Sequence, residues 1–162
     1  ETSKAIGIQL IRHRSFTFQE FSQRYQDVSK IGDEGMFEDI EIRKQAVNNR
    51  QSSEEVFDPE GGYWDGEIGT ITASNVIQEV LNMCEDGYKY LLEAGVAREQ
   101  ARMVLPMATK TRIYMTGSVR SWVHFLNLRD DSHAQKEIQD VARGIKDILK
   151  GELPVISKAL GW

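Results

Sequence analysis

From Thr72 to Glu93, apolar residues recur at Val76, Ile77, Val80, Leu81, Cys84, Tyr88, Leu91 and Leu92, the spacing that gathers side chains on one helical face. Gly95 follows at the position where a left-handed residue often ends a helix. Similar patterns predict a shorter helix from Arg98 to Leu105, halted by Pro106, and another from Ser118 to Leu128. A long helix is expected from Ala134 to Lys150, with Ile138, Val141, Ala142, Ile145, Ile148 and Leu149 on its apolar face. Gly151 and Pro154 then punctuate a short terminal helix. Between these helical patterns, Thr111 to Thr116 alternates, Arg112 and Tyr114 interrupting Ile113 and Met115, and predicts a strand.

The opening segment reads two ways. Ser3 could cap a helix running to Arg12, while Ile6, Ile8 and Leu10 alternate like a strand. The helix is favoured; it places Gln9 and Arg12 three apart on one face, whereas a strand would pair Arg12 with Arg14. Asp27 to Gly69 is rich in glycine, proline and charge, so loops are expected there, with Phe37, Ile40 and Ile42 supporting a short extended segment. Asn48 to Ser53 is a run of turn and cap formers, and Asp58-Pro59-Glu60-Gly61-Gly62 is a strong break.

Composition narrows the function classes. A chain of 162 residues, 40% hydrophobic, can bury a core of its own, and one domain is the default expectation. The net charge of -5 argues against a general nucleic-acid binder, so any anion site must be local. Cys84 is the only cysteine, which excludes an internal disulfide framework and a cysteine-rich metal site and fits a reducing, cytoplasmic setting. Three scattered histidines lack metal-ligand spacing, so no metal is expected. No apolar run reaches the length of a membrane span, which predicts a soluble chain. The chain opens at Glu1 and runs almost at once into a dense polar motif, so it is expected to be cut from something longer.

That motif concentrates the chemistry. Arg12-His13-Arg14 is followed by seven residues and Ser22, inside Gln19-Glu20-Phe21-Ser22-Gln23-Arg24-Tyr25. Arginines crowded this closely repel unless an anion or carboxylate lies between them, and guanidinium groups grip a phosphate through paired donors. Ser22 and Glu20 can add a directional hydroxyl and acceptors. The competing reading is a solvated basic turn. A stacking platform of Phe16, Phe18, Phe21 and Tyr25 for nucleic acid is disfavoured by the acidic bulk, and Trp64, Trp122 and Trp162 read as packing residues.

Arg-His-Arg, seven residues and Ser resembles the signature of the flavin-dependent thymidylate synthases, with Arg24-Tyr25 continuing the likeness. A second block is similar to the same family: Gly95 to Pro106, then Thr116 to Arg120, His124 to Arg129, and Ser132-His133-Ala134-Gln135 with Glu137-Ile138-Gln139. Asn49-Arg50-Gln51 resembles a weaker feature between them. The resemblance covers nearly the whole chain.

Taken with the predicted elements, the resemblance implies an α+β fold, helices packed on a small antiparallel sheet, in a homotetramer whose sites are shared between subunits. It implies a single domain over residues 1–162 that lacks the N-terminal segment carried by the family, part of which contributes to flavin binding. The implied reaction turns deoxyuridylate (dUMP) into thymidylate (dTMP), with 5,10-methylenetetrahydrofolate as carbon donor and FAD, reduced by NADPH, as hydride carrier. The implied dUMP residues are Gln9, Arg12, Glu20, Phe21, Ser22, Gln23, Arg24, Arg102 and Arg129, and Arg129, against the pyrimidine, is the catalytic candidate. Without the resemblance, Arg129 would read as a cation at a helix C-terminus. The implied FAD residues are Arg12, His13, Arg14, Glu20, Ser118, Val119, Arg120 and His124; Arg120 and His124 stand four apart on a predicted helix and can face one cofactor.

The sequence departs from the family at Ser118 and Gln19, where asparagine is frequent, and His124 stands where histidine and asparagine alternate. No cysteine nucleophile is required, which suits Cys84 as a core residue on an apolar helix face. Ser22 reads as a hydrogen-bond donor to substrate, since no activating base neighbours it. His133 could start a helix or line a folate or nicotinamide site. The alternative to the enzyme is a non-catalytic flavin- or nucleotide-binding relative; a nucleic-acid binder would show affinity falling steeply with salt.

Overall fold

Ser3 decides the opening segment. Its hydroxyl accepts the backbone N–H of Ile6, capping helix α1 (Lys4–Leu10) directly after the short strand β1 (Thr2–Ser3). The helix expected to reach Arg12 ends at Leu10, and Arg12 follows with its N–H bonded to the Gln9 carbonyl at 3.3 Å. The computed structural model describes residues 1–31, 35–50, 52–61, 63–64, 67–68 and 71–162.

The elements that follow are β2 (Phe16–Glu20), a 3-10 turn at Val28–Lys30, β3 (Arg43–Gln45), β4 (Ser53–Val56), β5 (Tyr63–Trp64) and β6 (Glu67–Ile68). Then come α2 (Ala73–Glu93), α3 (Arg98–Ala101), a second 3-10 turn at Arg102–Val104, β7 (Lys110–Thr111) and β8 (Ile113–Gly117). Helices α4 (Val119–Arg129), α5 (Lys136–Glu152) and α6 (Pro154–Leu160) complete the chain. The fold is α+β with small sheets: β1 pairs with β7, β2 with β8, β3 with β4 and β5 with β6. The β1–β7 and β5–β6 pairs are antiparallel, with Thr2 opposite Thr111 and Tyr63 opposite Ile68.

The chain divides into two compact units. The first comprises residues 1–12, 18–43 and 55–115, the second residues 13–17, 44–54 and 116–162.

In the first unit, α2 is capped and stopped as its pattern predicts, although Val80 of the expected apolar face is exposed. Thr72 and Asn75 form a reciprocal capping box, and Gly95, at φ 82°, ends the helix. The Gly95 and Val96 amides return to the carbonyls of Leu92 and Leu91, the double closure that satisfies a helix end. Tyr88 is buried on the inner face with Val28, Ile31, Met36 and Ala101, and Phe21, Phe37, Leu91, Leu92, Val96 and Leu105 pack against that cluster. The Tyr88 hydroxyl accepts the Val28 N–H at 3.3 Å, which satisfies a buried donor.

In the second unit α4 packs on α5, and α5 on α6. Phe125, Leu126, Ile138 and Ala142 are buried. Asp130, just after α4, accepts from Arg143 at 2.9 Å and Lys146 at 2.8 Å on α5. Those two cations hold the Asp130 carboxyl below its usual range, the Lys146 hydrogen bond being the larger cause.

Several expectations need correction. Gly151 lies inside α5, and Pro154 at the first turn of α6 marks the break. Ile148 is 65% exposed and does not share the buried face of α5. Cys84 is half-buried and does not belong to the core. The Arg98 to Leu105 helix tightens into a 3-10 turn after Ala101. Arg112 divides the predicted strand into β7 and β8. The extended segment foreseen near Phe37 is a single bridge from Phe37 to Thr109, and the strand begins at Arg43. In the Asn48 to Ser53 run, Gln45 Nε2 donates to the Asn49 and Ser52 carbonyls, tightening a turn between β3 and β4; Gln51 lies outside the described residues, as does Gly62 of the break. Trp122 packs as expected, and the Trp64 side chain lies outside what is described.

Candidate functional site

The motif residues divide between the two units, and each unit builds its own arrangement. In the first unit, Glu20 ends β2 with its Oε1 receiving two donors, Lys4 Nζ at 2.5 Å and Thr111 Oγ1 at 3.0 Å. Thr111 is fully buried, and the Glu20 side chain is 24% exposed. Phe21 packs its ring on the core cluster and donates its N–H to the Arg112 carbonyl at 2.9 Å. The chain then turns: the Ser22 carbonyl accepts from Tyr25 and Gln26. Ser22 and Gln23 are half-buried.

Arg24 and Arg102 converge on Glu99. Arg24 Nη2 lies 3.6 Å from the Glu99 carboxylate, and Arg102 Nε donates to the Glu99 carbonyl at 3.3 Å. The Arg24 guanidinium also sits 5.6 Å from the centre of the Tyr25 ring. Both interactions are solvent-exposed, so they hold these arginines weakly and leave them available to an anion. Gln9 is half-buried on α1, and Arg12 is exposed just beyond it, with no carboxylate partner among the described residues.

In the second unit, Ser118 caps α4, its hydroxyl accepting the Ser121 N–H at 3.2 Å. Serine caps a helix about as well as asparagine does, so the departure at this position keeps the capping role. Val119, Arg120 and His124 follow on α4 and are exposed, as is Arg14. Arg129 closes α4, and its Nε donates to Nε2 of His13 at 2.9 Å. An acceptor at Nε2 requires the His13 ring to carry its proton on Nδ1. Phe125 meets that ring edge-on at 4.9 Å between centroids and Phe16 at 6.4 Å. Burial first, then the Arg129 charge, then His124, push the His13 pKa down, while burial alone lowers that of Arg129.

The structure therefore joins His13 with Arg129, and Arg24 with Arg102. His133 lies in the turn before α5, where its N–H and Nδ1 both meet Asp131. Sequence reasoning missed Lys4 and Thr111 beside Glu20, Glu99 between the arginines, and the Phe16 and Phe125 rings around His13. Only the last had a local signal, an aromatic residue close to the histidine and another within the second motif block.

A family model described as "Thymidylate synthase complementing protein" matches residues 1–155. The chain belongs to this family, that of the flavin-dependent thymidylate synthases, whose named members are enzymes. The flavin-dependent thymidylate synthase of a Synechocystis strain is 38% identical over 161 residues, which cover 99% of this chain and 68% of that protein. A probable flavin-dependent thymidylate synthase of Paramecium bursaria Chlorella virus 1 is 38% identical over 163 residues, covering 100% of this chain and 69% of that one. The Thermosipho africanus enzyme is 41% identical over 149 residues, 92% of this chain and 60% of its own length.

Proposed function

We infer that this chain takes part in the reductive methylation of dUMP to dTMP, with 5,10-methylenetetrahydrofolate as carbon donor, FAD as hydride carrier and NADPH as reductant, in a homotetramer with shared sites. The observation that carries the reading is the family match across residues 1–155 in a chain that keeps Arg12-His13-Arg14 and Ser22 in register. In balance, dUMP, the methylene folate, NADPH and a proton yield dTMP, tetrahydrofolate and NADP.

Arg12, Arg24 and Arg102 supply donors for a nucleotide phosphate, and Gln9, Glu20, Phe21, Ser22 and Gln23 shape the rest of the nucleotide site. Arg129 lies against the pyrimidine. Its fixed charge favours loss of the proton from the ring nitrogen, which raises electron density at C5, the carbon that accepts the one-carbon unit. Partial burial of Arg129 supports the role, because a charge removed from water acts on its neighbours with less screening.

The residues available for FAD are Arg12, His13, Arg14, Glu20, Ser118, Val119, Arg120 and His124. Their chemistry fits an anionic dinucleotide: α4 opens at Ser118 with N–H groups at its N-terminus, and Arg14 and Arg120 have no carboxylate partner among the described residues. Bound flavin would supply the redox step, while these side chains bind and orient it.

The test is spectroscopic. Purified protein, alone or with added FAD, is expected to show the yellow flavin spectrum, and dUMP is expected to change the rate at which NADPH-reduced flavin is reoxidised. A protein that acquires no flavin spectrum overturns the reading. One that binds flavin yet forms no dTMP with all co-substrates present is the non-catalytic relative instead. No helix among the described residues is long and apolar enough to cross a membrane.

A further inference from the structure

His13 and Arg129 are far apart in sequence, and only folding brings them together. The contact is between a donor and an acceptor: Nε–H of the guanidinium faces the lone pair of imidazole Nε2 at 2.9 Å. No other hydrogen bond to the Arg129 side chain is found among the described residues. The imidazole is itself fenced by Phe125, which is fully buried, and by Phe16. A ring in near-perpendicular contact with two aromatic side chains has less freedom to swing, which favours a set direction for its lone pair.

We propose that neutral His13 is a positioning residue for Arg129, holding the guanidinium by its Nε–H so that the two terminal nitrogens stay free as paired donors for the pyrimidine of the substrate. The role rests on the nucleotide reading above and goes beyond the motif's flavin assignment for His13. An arginine tethered only at Nε keeps its terminal donors available while losing the rotamer freedom it would otherwise surrender on binding.

The arrangement carries its own dependence on pH. Protonation of His13 at Nε2 removes the lone pair, sets N–H against N–H and puts two cations in contact, so Arg129 is released. The charged and titratable groups that bear on the imidazole are Arg129 and His124, both on α4, whereas β2 contributes the Phe16 ring. Both α4 groups oppose a second positive charge, as does burial, so the neutral form persists to lower pH than for a free histidine.

The experiment has two arms, both on the full chain saturated with FAD. In the first, nitrogen-15 NMR of the imidazoles reads the tautomer and titration of His13. A proton on Nδ1 and a midpoint below the ordinary 6.5 are expected, and a ring protonated at Nε2 at neutral pH overturns the proposal. In the second, calorimetry measures dUMP affinity from pH 8 to 5 for the wild type, His13→Leu and His13→Gln.

Wild-type affinity should fall by up to about tenfold per pH unit below the His13 midpoint. The phosphate of dUMP titrates in the same range, but it does so for all three proteins and cancels in the comparison. His13→Leu, with no acceptor, should bind about tenfold or more weakly at pH 8. His13→Gln, whose amide oxygen can accept the same N–H, should recover much of that loss without the His13 component of the pH profile. Equal affinity in His13→Leu and wild type refutes the positioning role. If no protein binds dUMP, the proposed function fails with it, and the NMR arm still decides whether the pair exists.

Discussion

Replacing Gly117 with alanine adds a single methyl group at a place with no room for it. A Cβ there would lie 2.4 Å from Cδ1 and 2.6 Å from Cε1 of Phe16, against the roughly 3.5–4.0 Å at which two carbons rest in contact. Ring or strand must therefore retreat by about 1–1.5 Å. Phe16 cannot simply swing aside. It is 7% exposed and edge-on to Trp122 at 4.7 Å, Phe125 at 6.1 Å and His13 at 6.4 Å. Interiors this closely packed pass strain to their neighbours, and overpacking by one methyl group costs about 1–3 kcal/mol. At an unhindered site the same change would stabilise by about 0.4–1 kcal/mol through the unfolded chain, so the sign of the effect is diagnostic. Urea denaturation followed by tryptophan fluorescence measures it. Phe16→Leu combined with Gly117→Ala should reveal a favourable coupling of at least about 1 kcal/mol, because the smaller side chain vacates the contested space. A Gly117→Ala protein as stable as the wild type, or strictly additive substitutions, would refute the packing argument.

Arg129→Ala is expected to lower dTMP formation by about 10²–10³-fold or more while flavin stays bound, as read by turnover and absorbance; retained turnover removes the catalytic assignment. Tyr88→Phe leaves the buried Val28 N–H without its partner and should cost about 1–3 kcal/mol in urea denaturation, with no change meaning that the 3.3 Å contact carries no weight. Asp130 has a folded pKa below its reference of 3.8, so its contribution to stability is present above that pH and lost as pH falls through the folded value. Asp130→Asn should lower stability at pH 7 by about 1 kcal/mol and flatten the loss below pH 4, and an unchanged acid limb would show that Arg143 and Lys146 do not stabilise the carboxylate.

The helices were legible because each carries its instructions locally. Thr72, Ser3 and Ser118 cap, Gly95 stops, and the apolar spacing of α2 and α5 names most of their inner faces. The strands were not. Ser53–Val56 is exposed throughout and shows no alternation, and Phe16–Glu20 alternates within a motif whose charges drew attention away from its period of two. At the candidate site, the motif nominated residues and left out what holds them. His13 and Arg129 meet across 116 positions, and Glu20 and Thr111 across 91, separations over which no local pattern informs. Ile148 shows the same limit, since spacing alone cannot say how wide a face the neighbouring helices cover.

The double hold on Glu20 bears on how a ligand would be recognised. Lys4 and Thr111 both take Oε1, and Oε2 has no hydrogen-bond partner among the described residues. A glutamate side chain immobilised only on binding gives up about 1.5–2 kcal/mol of rotamer entropy, more than a tenfold change in affinity. Here that loss is already incurred when the chain folds, so a donor arriving at Oε2 meets an acceptor whose direction is set before the encounter. Selectivity then follows from geometry: a ligand whose N–H or O–H points a little off that direction cannot recruit the carboxylate by bending it.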